Sequence, residues 1–191
     1  MNEPTALLAS WIEEAGGANS IAAIAMCLAT VNAEGRPSAR IVLLRGLDRD
    51  GLRFFTSYAS RKGRELADNP FAAATLYWPA LSRQVRIEGT VTLLSDEESD
   101  AYFASRPRGH QIAAWASEQS ETLQSYEVLE ERFTHFGGRF EGEEVPRPHS
   151  WGGYLLTPSR IEFWQGRPNR MHERVLYTRS AGIWNISRLQ P

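Results

Sequence analysis

Apolar positions in the opening segment recur at Leu7, Leu8, Trp11, Ile12 and Ala15, the spacing of one helical face, and Gly16-Gly17 ends the run. The pattern then turns extended. A strand is predicted over 25–31, stopping at the turn-like Asn32-Ala33-Glu34-Gly35. A second is expected over 38–45. The Asp-Gly of Asp48-Arg49-Asp50-Gly51 then signals a hairpin, with 52–56 as the returning strand. Ser60 is placed to cap a short helix over 61–68, which Asn69-Pro70 stops.

Strands over 72–78 and 84–94 follow, joined across Pro79. Ser95 and Glu98 stand three apart and form a capping box, each able to satisfy the other's backbone donor. The helix it opens carries Tyr102 and Phe103 and should end before Pro107. Another helix is predicted over 126–136, closed by Gly137-Gly138, and then a loop over 141–153 with Pro146, Pro148 and paired glycines. Short strands over 154–157, 160–164, 175–179 and 184–188 fill the remainder. The order is strand-rich, with helices inserted between hairpin-like pairs, and it shows neither a repeat nor a linker. It predicts a single domain over 1–191, mainly β with α: an antiparallel barrel with helices packed outside. A Rossmann fold is not expected, because no Gly-x-Gly-x-x-Gly follows a strand, and there is no Walker loop.

Composition narrows the chemistry. The 21 basic and 23 acidic residues give a formal charge of −2, which argues against a nucleic-acid partner held by bulk charge but leaves room for local basic sites. The one cysteine, Cys27, can form neither an internal disulfide nor a cysteine-rich zinc site, and a reducing compartment fits best. The longest nearly apolar stretch, 21–31, is too short to span a bilayer, and it follows an acidic segment unlike a signal peptide. A cytoplasmic protein with no membrane partner is expected. His110, His135, His149 and His172 form no metal-binding spacing, so no metal is expected, and Gly-x-Ser-x-Gly is absent.

Three basic clusters remain. Arg61 and Lys62 fall in the first turn of the helix that Ser60 caps, where the helix dipole disfavours cations unless an anion such as phosphate sits beside them. In Arg106-Pro107-Arg108-Gly109-His110 the proline limits the entropy cost of holding two cations on one anion. In Arg170-Met171-His172-Glu173-Arg174 an extended backbone would put Arg170, His172 and Arg174 on one face, with Phe163-Trp164 nearby to stack on a planar ligand. Each cluster also reads as a solvated surface. Taken together they suggest a planar phosphorylated ligand, or two of them.

Several motifs then become recognisable: Arg40-Ile41-Val42-Leu43-Leu44-Arg45, Phe54-Phe55-Thr56 with Ser60-Arg61-Lys62-Gly63-Arg64, and Tyr77-Trp78-Pro79 leading to Arg83-Gln84-Val85. Tyr102-Phe103-Ala104-Ser105-Arg106-Pro107-Arg108, Trp115-Ala116-Ser117-Glu118-Gln119-Ser120 and Trp151-Gly152-Gly153-Tyr154 follow in order. With Ile161-Glu162-Phe163-Trp164-Gln165-Gly166 and Arg188-Leu189-Gln190-Pro191, the chain closely resembles the pyridoxamine 5′-phosphate oxidase family over nearly its whole length.

The resemblance implies an FMN-binding split β-barrel and a homodimer with FMN at the interface. By the match, Arg40, Arg61 and Lys62 would hold the FMN phosphate, beside Phe55 and Thr56, with the rest of the Ile41, Val42, Leu43, Leu44, Arg45 run adjacent. Gln84, Gln119, Ser120, Trp164 and Arg174 would complete the flavin site. A phosphorylated small-molecule substrate would be held by Arg45, Tyr102, Arg106 and His110, with Arg170, Met171 and His172 against its ring. Arg170 and His172 are the implied catalytic pair. The implied reaction oxidises pyridoxamine or pyridoxine 5′-phosphate to pyridoxal 5′-phosphate, with dioxygen yielding hydrogen peroxide.

Arg45 stands where the family usually has lysine, and His110 where serine is common; both changes fall on the substrate-phosphate side. An N-terminal extension that in relatives can fold over the substrate is expected to be missing. Arg40 and Arg45 are an odd number apart, so in a regular strand they would face opposite ways unless a bulge or the partner subunit intervenes. The alternative activity is a related oxidase of another reduced ring. Oxidases of phenazine biosynthesis resemble this chain in Met171-His172-Glu173-Arg174 and in the Arg-Leu-Gln-Pro ending. A non-catalytic flavin or pyridoxal phosphate carrier is the third reading.

Overall fold

Apolar alternation in the expected strands is matched by one antiparallel sheet that curls into a half-barrel. The computed structural model describes residues 3–191. Helices α1 (Pro4–Glu14) and α2 (Ile21–Ile24) lead into β1 (Ala25–Val31), β2 (Pro37–Leu43), β3 (Gly46–Leu47) and β4 (Leu52–Ser57). Helix α3 (Arg61–Asp68) precedes β5 (Phe71–Trp78) and β6 (Arg83–Leu93). Three helices follow: α4 (Asp96–Ala104), α5 (Arg108–Ala116) and α6 (Tyr126–Arg139). The chain closes with β7 (Trp151–Gln165), β8 (Glu173–Ser180) and β9 (Ile183–Arg188).

The strand order is β2-β1-β5-β6-β7-β4-β3, with β8 and β9 branching from β7. Strand β7 makes the branch possible. One edge pairs β6 along its length, while the other pairs β4 through Trp151 to Leu156 and β8 from Arg160 onward. A register shift between Glu88 and Gly89 lies opposite the change of partner.

Side chains of alternate residues close the core. Met26, Leu28 and Thr30 of β1 are buried with Leu52 and Phe54 of β4, and Leu8 and Ile12 of α1 cover one end. A second cluster, Phe103, Ile112, Phe140, Val145 and Trp151, fastens α4, α5 and the end of α6 to the start of β7. The expected caps are both formed: Ser60 accepts from the Gly63 N–H at 3.3 Å, and Ser95 and Glu98 make the reciprocal box. Among the described residues no helix is long and apolar enough to cross a membrane.

The antiparallel barrel with outer helices is therefore as expected, with five local corrections. Strand β2 ends at Leu43, two residues early, because the Leu44 N–H turns away to Ile24 O and the Arg45 N–H to Arg53 O. Helix α5 occupies a stretch that showed no helix signal. Helix α6 continues through Gly137 and Gly138 to Arg139, held by Phe136 and Phe140 against Trp115. The two strands expected over 154–164 are one, and its start replaces the end of the expected loop. The extended run expected over 170–174 is instead a turn through Arg170, with the strand starting at Glu173.

Candidate functional site

A cleft of about 940 Å³ opens beside β2. Residues 38–43 of β2 and Arg45 line one wall; Phe55 and Thr56 of β4, the first turn of α3, Tyr102, Ser105, Arg106 and His110, Gln119-Ser120 and Trp151 complete it. Arg40, Arg45, Arg61, Lys62 and Arg106 make this lining basic, and no Asp or Glu is among these lining residues. The odd spacing of Arg40 and Arg45 does not separate them, because regular β pairing ends at Leu43.

At one end, Lys62 is 8% exposed, and its Nζ donates only to neutral oxygens: Thr56 Oγ1 and Gln119 Oε1 at 2.9 Å, and Ser60 Oγ at 3.3 Å. Burial first, then Arg40, pushes the Lys62 ammonium down to about 8, against the pull of Glu65. Gly63 lets α3 start here: a Cβ would lie 2.1 Å from the Tyr58 carbonyl oxygen.

Behind this end sits Glu65, a residue the sequence reading missed. Burial disfavours its charge, but hydrogen bonds from Thr30, Ser38, Arg61 and Arg40 outweigh that and lower its carboxyl to about 2. The i,i+4 spacing of Arg61 and Glu65 was legible as a helix-surface pair; its burial was not.

At the other end, Phe55 and Tyr102 stack with centroids 3.7 Å apart, and Trp151 lies parallel to both. The Arg106 guanidinium carbon lies 4.5 Å from the Trp151 ring centroid. Its Nη1 is buried without a hydrogen-bond partner. Burial lowers the Arg106 pKa from the usual arginine range; Tyr102 opposes this and Arg45 adds to it. His110 lies at the mouth on α5.

The remaining predicted residues are elsewhere. Leu44 is buried in the core. Gln84, Trp164 and Arg174 stand side by side across β6, β7 and β8. The His172 ring lies 4.7 Å from Trp164, and Nδ1 of His172 accepts from the Arg167 N–H at 3.2 Å. Arg170 follows Asn169 in the left-handed region, at φ of 61° and 56°, a costly conformation for two side-chain-bearing residues. None of Gln84, Trp164, Arg170, Met171, His172 or Arg174 lines the cleft. Within one chain the predicted site thus falls into two groups, one in the cleft and one on the β6-β7-β8 surface and its adjoining turn.

Comparison with known proteins finds two matches to family descriptions: "Pyridoxamine 5'-phosphate oxidase" over residues 20–139, and "Pyridoxine 5'-phosphate oxidase C-terminal dimerisation region" over 151–191. A curated relative from Burkholderia mallei (strain SAVP1), named pyridoxine/pyridoxamine 5′-phosphate oxidase, is 58% identical over 184 residues, covering 95% of this chain and 86% of its own. A relative of the same name from Paraburkholderia phymatum is 57% identical over 182 residues, covering 95% and 85%. Among solved structures, PhzG from Burkholderia lata 383, in complex with tetrahydrophenazine-1-carboxylic acid, superposes with a TM-score of 0.94 at 34% identity, covering 100% of this chain and 94% of that one. A pyridoxamine 5′-phosphate oxidase-related, FMN-binding protein from Nostoc punctiforme shares the fold, with a TM-score of 0.75, 21% identity and coverage of 98% and 96%.

Proposed function

The chain belongs to the pyridoxamine 5′-phosphate oxidase family, and on that premise we propose that it oxidises pyridoxamine or pyridoxine 5′-phosphate to pyridoxal 5′-phosphate using FMN and dioxygen. The observation that carries this reading is one cleft with a cationic group at each end, Arg40, Arg61 and Lys62 at one and Arg45 and Arg106 at the other. Two phosphates are what such a cleft calls for.

The residues present fit FMN. Lys62 is buried and meets only neutral acceptors, so its charge lacks a counterion that a phosphate would provide. Arg61, Lys62 and Arg40 would hold the FMN phosphate, with the Ile41, Val42 and Leu43 run, Phe55, Thr56, Gln119 and Ser120 around the remainder. Arg106 Nη1, buried without a partner, has a donor in reserve for a second anion. Arg45, Tyr102, Arg106 and His110 would bind the substrate phosphate. Bound FMN would supply the two-electron acceptor and its reoxidation by dioxygen, with hydrogen peroxide as product.

The C-terminal match to a dimerisation region supports a homodimer. We assign the second group of residues to a neighbouring copy's cleft. Gln84, Trp164 and Arg174 would flank the flavin from the facing subunit, and Arg170, Met171 and His172 would press on the substrate ring. These residues orient the substrate and shield it from water, making the transfer effectively intramolecular. One sheet running through both matched segments supports reading the chain as a single domain.

One observation favours a second reading. The likeness to PhzG extends over the whole chain, and that protein was captured with a carboxylic acid of a reduced phenazine. A related oxidase of another reduced ring, such as a dihydrophenazine, would use the Arg106 end for a carboxylate.

The deciding experiment loads the protein with FMN without oxygen and adds pyridoxine or pyridoxamine 5′-phosphate. Loss of flavin absorbance with formation of pyridoxal 5′-phosphate is the expected result. Flavin that stays oxidised with both, yet bleaches with a dihydrophenazine carboxylate, would transfer the assignment to the second reading.

A further inference from the structure

Glu65 lies one layer behind the cleft, 4% exposed, and accepts hydrogen bonds from four side chains of three elements. Donor accounting separates the two arginines it touches. The terminal nitrogens of Arg40 are directed at the Leu28 carbonyl, the Thr30 and Ser38 hydroxyls and Glu65 Oε2, which leaves only Nε. Both hydroxyls pass the contact inward: Thr30 donates to Glu65 Oε2, and Ser38 Oγ lies 2.7 Å from Oε2 and 2.9 Å from Oε1. Arg40 is thus tied into the wall.

Arg61 is held the other way round. Its Nε donates to Glu65 Oε1 at 2.8 Å, and its terminal nitrogens make no hydrogen bond among the described residues. The side chain is 59% exposed, so this single bond is what fixes the fork. Holding Nε leaves the two terminal nitrogens, the pair suited to bidentate contact with phosphate, facing outward. A carboxylate also lets Arg40, Arg61 and Lys62 share one region without a bound anion.

We propose that Glu65 is the positioning residue of the phosphate end: it holds Arg61 by Nε so that its terminal fork grips the flavin phosphate. This rests on the reading that the Arg61–Lys62 end takes the phosphate of FMN.

The test compares FMN with riboflavin, which lacks the phosphate, by quenching of flavin fluorescence on the flavin-free protein. Glu65→Gln keeps the shape and removes the charge. The expected result is FMN affinity weakened about tenfold or more with riboflavin affinity unchanged, because only the phosphate contact is misplaced. Arg61→Lys gives the same test with Glu65 intact, since an ammonium can meet the carboxylate or the phosphate but offers no fork. It should lose FMN preference to a similar degree, and the double variant should be no worse than Arg61→Lys alone. An unchanged or increased FMN-to-riboflavin ratio in Glu65→Gln overturns the proposal. If Glu65→Gln does not fold, an unchanged ratio in Arg61→Lys overturns it. A wild-type protein that binds both flavins equally fails the underlying reading of the cleft instead.

Discussion

The backbone N–H of Arg167 donates to Nδ1 of His172 at 3.2 Å. A nitrogen that accepts this bond carries no proton, so the neutral ring bears its hydrogen on Nε2 and offers a donor there. On the proposed assignment, His172 would act by donating to the substrate rather than by removing a proton from it. Gln places an amide nitrogen near the position of Nε2, whereas Asn reaches only that of Nδ1. His172→Gln should keep kcat within about tenfold of wild type, while His172→Asn loses about a hundredfold. Equal large losses in both would instead assign the ring the role of base. Nitrogen NMR of the labelled protein reads the tautomer independently of turnover.

On the proposed function, Arg106 gives up stability for binding. Its buried Nη1 has no partner, and removing an unpaired buried donor costs little once the shape is kept. Arg106→Met should leave the melting temperature unchanged or higher, despite losing the cation–π contact with Trp151, worth about 1 kcal/mol. The same change should raise KM for a phosphorylated substrate by a factor on the order of 10 to 100. Calorimetric melting and steady-state kinetics on one preparation check both halves, and a lower melting temperature with KM unchanged would show the guanidinium to be structural.

What the sequence made legible was local. The Ser60 and Ser95-Glu98 caps depend on residues within three positions, and both form as read. Helix α5 was hidden because Pro107 and Gly109 carry loop signals, while its support comes from Gln111, Ile112 and Ala116 buried against other elements. Strand β7 passes through Pro158 because the shift opposite, at Glu88 and Gly89, relaxes the regular ladder there. The site divides similarly. The cleft residues are motif neighbours, but the row of Gln84, Trp164 and Arg174 follows from the register of three strands, which no local pattern encodes.

Lys62 and Glu65 set opposite pH limits. The Glu65 carboxyl is lowered to about 2 from 4.5, so the unfolded chain binds more protons between these values; its contribution is complete above 4.5 and is lost as pH falls through 2. The Lys62 ammonium is lowered to about 8 from 10.5, so its burial costs stability at neutral pH, and the flavin-free protein should gain stability as pH rises across that interval. A bound phosphate favours the charged ammonium and raises its pKa again. FMN binding near about pH 8.5 should therefore take up about three-quarters of a proton, and affinity should fall as pH rises past about 8, the phosphate itself being fully ionised there. Titration calorimetry in two buffers of different ionisation enthalpy measures the uptake. It should vanish in Lys62→Met, and uptake that persists there would place the titrating group elsewhere.

The division of the site into two groups predicts complementation between subunits. Arg61 lines the cleft and Arg170 does not, so a working site would draw Arg61 from one copy and Arg170 from the other. Arg61→Ala should weaken FMN retention first, and Arg170→Ala should cut turnover far more than flavin binding. Each variant alone is then nearly inactive. Co-expressed in equal amounts, half of the dimers are mixed, and in each the two defects fall on the same site while the other site is whole. Activity should return to about a quarter of wild type per chain. If both residues served one site within a single chain, every site in a mixed dimer would carry one defect, and co-expression would restore nothing.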